Sequence, residues 1–77
     1  ELLMVQNVRV AIALKTYHNR ATAAIRCSYG TNIAHALAEK FGGGGHPYSA
    51  GFRIDNYNGD SLKLKTQLNA YLNELLQ

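Results

Sequence analysis

Between Val8 and Lys15 apolar and polar positions alternate, with Val8, Val10, Ile12 and Leu14 on one side and Arg9, Ala11, Ala13 and Lys15 on the other. A period of two is that of an extended strand with one buried face. The pattern breaks at Tyr17-His18-Asn19-Arg20 and resumes from Ala21 to Ser28, which predicts an antiparallel hairpin with a loop of about four residues. In the second strand Ala23, Ile25 and Cys27 point inward, and Thr22, Ala24, Arg26 and Ser28 point outward. The period then changes. Ile33, Ala34, Leu37, Ala38 and Phe41 recur at three- and four-residue steps, the stripe of an amphipathic helix capped by Thr31 or Asn32 and running to Phe41, with Gly42 as its left-handed stop. Gly42 to Gly45 lead through His46 and Pro47 into a third strand, Tyr48 to Ile54, whose inward residues are Ala50, Phe52 and Ile54. After the turn-rich Asp55-Asn56-Tyr57-Asn58-Gly59, Asp60 or Ser61 caps a closing helix that carries Leu64, Leu68, Tyr71, Leu72, Leu75 and Leu76.

The order β-β-α-β-α predicts an α+β fold, a small mixed β-sheet with two helices. Seventy-seven residues support one small core and no second one. We assign residues 8–77 to a single domain and read residues 1–7 as the end of an upstream element or a linker. The chain opens on Glu1 rather than Met, which leads us to expect a longer parent protein.

Lys and Arg number 8 against 5 Asp and Glu, a formal charge of +3 that mildly favours anionic partners. The single cysteine, Cys27, excludes an internal disulfide framework and suits a reducing, cytoplasmic compartment. No apolar run reaches the length a membrane helix requires, so no membrane role is expected. His18, His35 and His46 are far apart in sequence, no second cysteine accompanies Cys27, and only Asp55 and Asp60 represent aspartate. No metal-ligand spacing can be read from such a set, and no self-contained catalytic site is expected.

Binding chemistry is easier to locate. Gly42, Gly43, Gly44 and Gly45 carry no side-chain walls, so their amides can approach a ligand and wrap an anion in a backbone nest. His46 follows as a hydrogen-bond donor, Arg26 offers a guanidinium that matches phosphate oxygens, and Ser28 and Ser49 offer hydroxyls. Each has a plain structural alternative: a helix stop and connection for the glycines, a solvated strand position for Arg26, a turn or capping bond for the serines.

Taken together, Ile25-Arg26-Cys27-Ser28, Ala38-Glu39-Lys40-Phe41, and Gly42-Gly43-Gly44-Gly45-His46 followed by Ser49-Ala50-Gly51-Phe52 resemble the first subtype of the DHH-associated domain. This is the C-terminal substrate-binding domain of DHH phosphoesterases such as oligoribonuclease/pAp phosphatases and RecJ-like exonucleases. The resemblance spans Val8 to Leu76. It implies that Arg26, Ser28, Gly43, Gly44, Gly45, His46 and Ser49 contact the phosphate or sugar of a nucleotide or single-stranded oligonucleotide. It further implies an N-terminal DHH catalytic domain in the parent chain, which would supply a manganese centre; no cofactor is expected in the present chain. Two other readings stay open: a tRNA-binding or dimerising C-terminal domain like that of alanyl-tRNA synthetases, and a purely structural domain. A homodimer is compatible with any of them.

Overall fold

Backbone polar groups of an extended segment must be paired, and the apolar side of each strand must be covered. Both demands are met by one antiparallel sheet with two helices on a single face. The computed structural model describes residues 2–4, 10–28 and 30–76. Its elements are β1 (Leu2–Met4), β2 (Val10–Thr16), β3 (Arg20–Cys27), α1 (Ala34–Glu39), β4 (Gly44–His46), β5 (Ser49–Asp55) and α2 (Ser61–Leu75). The strands lie in the order β1-β2-β3-β5-β4, each antiparallel to its neighbour.

The α+β class holds, with β-β-β-α-β-β-α in place of the shorter order and an antiparallel sheet in place of a mixed one. Both corrections have local causes. Pro47 and Tyr48 form a two-residue turn that folds the glycine segment back on β5, turning an expected loop into strand β4. Neither residue has a positive φ, so the turn is of the unprimed kind, whose first central position suits the fixed negative φ of proline. Strands β3 and β4 therefore run in the same direction with β5 between them, a split arrangement joined by α1. At the other edge, Leu2–Met4, expected to be a linker or part of another element, pairs with Ala11 to Ala13 of β2 and extends the same sheet. Val8 and Arg9, and the start of the first predicted strand with them, lie outside the described residues.

The inward side chains of the strands make one core. Val10, Ile12, Leu14, Ala21, Ala23, Ile25, Ala50 and Phe52 meet Ala34, Leu37 and Ala38 from α1 and Leu64, Leu68 and Leu72 from α2. Ile12, Ile25 and Leu37 are wholly excluded from solvent, and burial of a side chain of that size contributes about 1.5–3 kcal/mol. Phe41 stacks on Phe52 with ring centroids 4.3 Å apart and meets Tyr71 edge-on at 5.4 Å, which ties the end of α1 to both β5 and α2.

Helix α1 is shorter than its apolar stripe suggests. Neither Thr31 nor Asn32 caps it; Ile33 holds the N-cap position without a side-chain bond, and the Ala34 amide donates to the Pro47 carbonyl at 2.9 Å instead. The tip of the β4–β5 hairpin thus replaces the capping side chain. The helix ends at Glu39, Phe41 lies in the following turn, and Gly42 adopts φ 81° as the left-handed stop. Helix α2 is capped as expected: the Lys63 amide donates to Asp60 Oδ1 at 3.0 Å. Tyr57, inside a segment read only as a turn, is buried with the core, and its amide donates to the Asn19 carbonyl.

Candidate nucleic-acid interface

With both helices on the inner face, the outward face of the sheet is where exposed strand residues collect. Directly opposed residues on antiparallel strands project to the same side. Arg26 of β3 pairs with Ser49 of β5, and Ser49 pairs in turn with His46 of β4. Arg26, Ser49 and His46 therefore form one row across three strands on the face opposite the core. Arg26 and His46 are exposed and Ser49 is half-buried between them. The outer two strands of the row are about 10 Å apart at the backbone, a gap that two long side chains can close over a tetrahedral anion seated on Ser49.

Backbone hydrogen bonding sharpens the geometry. The Cys27 amide donates to the Tyr48 carbonyl at 2.8 Å, so Cys27 and Tyr48 are a hydrogen-bonded pair. By alternation, Arg26 and Ser49 form a non-hydrogen-bonded pair, the kind whose side chains approach more closely. Arg26 Nη1 donates to the Ile25 carbonyl at 3.2 Å. A guanidinium has five N–H donors, so the others can meet an anion.

The glycines divide by role. The Gly42 amide donates to the Glu39 carbonyl and the Gly43 amide to the Ala38 carbonyl, closing the end of α1. Of the four consecutive glycine amides, those of Gly42 and Gly43 are thus engaged within the chain. Gly44 opposes Gly51 in a hydrogen-bonded pair, and the alternation turns the Gly45 N–H away from β5, toward the open edge of the sheet. Gly43 lacks a side chain for a packing reason, since a Cβ there would collide with the Gly51 carbonyl and Phe52. A Cβ on Gly45 would fall 2.6 Å from Ala50 Cα, and one on Gly51 would fall 2.8 Å from the Ala23 carbonyl oxygen. Gly44 differs. Nothing lies within 4 Å of the position its Cβ would take, and that position is on the outward face, two residues from His46.

The other expected contact, Ser28, is exposed just beyond β3, where its carbonyl accepts from the Thr31 amide. It lies past the row rather than in it. Cys27 is a half-buried free thiol packed against the core. His18 is in the β2–β3 loop, and His35 Nε2 lies 3.3 Å from Glu39 Oε1 on α1, so the three histidines do not converge. Among the described residues no group of three His, Cys, Asp or Glu is placed to hold a metal ion. None of the described helices is long and apolar enough to cross a membrane.

The centrality of Ser49 was the feature hardest to find in the sequence, because its place in the row depends on β4 pairing with β5. The available signal was Pro47-Tyr48 as a two-residue turn, with His46 and Ser49 as its flanks. No protein-family model matches the chain. No curated protein sequence is significantly similar to it.

Proposed function

We propose that this chain is the phosphate- and nucleic-acid-binding C-terminal domain of a DHH-type phosphoesterase, which captures a nucleotide or short oligonucleotide for hydrolysis by a separate N-terminal domain. The observation that carries the reading is the row Arg26–Ser49–His46 on the exposed face of the sheet, beside the uncovered Gly44. A guanidinium binds phosphate oxygens in a fork, a hydroxyl and an imidazole add single hydrogen bonds, and Gly44 lets the ligand lie against the backbone. These groups bind and orient; none is arranged to attack a phosphoester. Holding a substrate next to a reacting centre lowers the barrier by removing translational and rotational freedom in advance. In this reading the manganese and the attacking water belong to the catalytic domain, and no step passes through a metal held by this chain. The free thiol of Cys27 fits a reducing, cytoplasmic setting.

Calorimetric titration of the chain with a 5′-phosphorylated oligonucleotide tests the reading. Arg26→Ala and His46→Ala should each weaken binding by about 1–3 kcal/mol while leaving the circular dichroism spectrum unchanged. Unaltered affinity in both variants would refute it.

A further inference from the structure

The charge of this protein is segregated between its two layers. On the helical side, Lys40, Lys63 and Lys65 are balanced by Glu39, Asp60 and Glu74. On the outward face of the sheet, Lys15, Arg20, Arg26 and Arg53 stand against the single carboxylate of Asp55. Among the described residues, the net positive charge thus resides on the face that carries the proposed site, and it falls into two bands. The first is the row of Arg26, Ser49 and His46. The second is a parallel row in which Lys15 of β2 pairs with Thr22 of β3 and Thr22 pairs with Arg53 of β5.

Between these bands runs a row without reach: Ala13, Ala24, Gly51 and Gly44 oppose one another across four strands. None of these four side chains extends past Cβ, so over β2, β3, β5 and β4 the strip is smooth and low between two raised cationic rows, and it continues to Leu2 of β1. Arg26 and Thr22 are four residues apart on β3, which sets the bands about 13 Å from each other. One phosphate cannot rest on both Ser49 and Thr22. A strand with phosphates at intervals along its backbone can, with its sugars or bases over the small residues. Arg53 Nε donates to Asp55 Oδ1 at 2.8 Å in an exposed contact, which leaves the other N–H groups of the guanidinium to an anion. At the same end, Tyr17 is 48% exposed, with the Arg20 guanidinium 4.4 Å from its ring centroid.

We infer that Lys15, Thr22 and Arg53 form a second phosphate subsite, so that the sheet face binds a single nucleic-acid strand long enough to bridge both cationic rows rather than a mononucleotide. The inference rests on the proposed function above, because the first phosphate is the one held by Arg26, Ser49 and His46.

Fluorescence anisotropy with 5′-phosphorylated oligothymidylates, from the dinucleotide to the hexanucleotide, separates the two claims. For the unaltered chain, affinity should step up once the strand is long enough to reach the second row. The double variant Lys15→Ala/Arg53→Ala should lose that step, with hexanucleotide affinity down about tenfold and dinucleotide affinity changed by less than about twofold. The control Lys63→Gln/Lys65→Gln removes the same charge from the helical layer and should leave every length unaffected. If Arg26→Ala weakens all lengths while Lys15→Ala/Arg53→Ala weakens none, the second subsite is wrong and the proposed function stands. Equal losses from the two double variants would show a diffuse charge effect and overturn the subsite. No effect of Arg26→Ala at any length would overturn both claims.

Discussion

Arg26 and His46, on strands two places apart, share one cross-strand partner, Ser49. The consequence is that a guanidinium and an imidazole twenty residues apart in sequence flank a single hydroxyl on the exposed face. Nothing in the core requires them there. The adjacent row is Ile25, Ala50 and Gly45, of which Ile25 and Ala50 are buried, and the outward residues are free to be chosen by what they bind.

The geometry of Arg26 predicts that charge alone does not suffice. Arg26→Lys keeps the positive charge and loses the planar fork. We expect it to recover less than half of the binding free energy lost in Arg26→Ala, as read by calorimetry with a 5′-phosphorylated oligonucleotide. Full recovery would mean that Arg26 acts as a diffuse cation.

Adjacent glycines should behave in opposite ways. Gly43→Ala drives a Cβ into the Gly51 carbonyl and Phe52 and should cost at least about 2 kcal/mol in urea unfolding. Gly44→Ala meets no atom within 4 Å and should change stability by no more than about 0.5–1 kcal/mol. Gly44→Val, in turn, should keep the fold and lose oligonucleotide affinity, because its methyls stand where the ligand rests. A Gly44→Val chain that binds normally would remove Gly44 from the site.

The Phe41–Phe52 stack connects the end of α1 to the strand that carries Ser49. Phe41→Ala should destabilise the chain by about 2–4 kcal/mol in denaturant unfolding, the usual cost of truncating a packed aromatic ring with partial exposure. A loss below about 1 kcal/mol would show that the stack does not hold the hairpin.

The cap of α2 gives a smaller, independent test of the structure. Asp60→Ala removes the acceptor of the Lys63 amide and should cost about 1 kcal/mol, while oligonucleotide affinity stays constant because Asp60 lies in the helical layer.

Much of this architecture was legible because side-chain period and burial agree. Val10, Ile12 and Leu14 alternate and are buried; Leu64, Leu68 and Leu72 recur every fourth residue and are buried. Glycine defeats that method. Gly44 and Gly45 have no side chains from which a period can be read, so β4 was invisible, and with it the row that unites Arg26, Ser49 and His46. Thr31 and Asn32 misled for a different reason: good capping residues preceded the helix, but the Pro47 carbonyl, a partner distant in sequence, took the Ala34 amide. Tyr57 was hidden in a polar turn because its burial depends on long-range packing rather than on local pattern.

The most direct test of the central claim is a nuclear magnetic resonance titration with a 5′-phosphorylated oligothymidylate that follows Arg26 Nε and the His46 ring together. One shared phosphate predicts that both signals move along a single binding isotherm, with Ser49 and Gly45 amide shifts tracking them. If one side chain responds while the other stays still, or if the responding residues cluster on α2, the two do not grip the same anion.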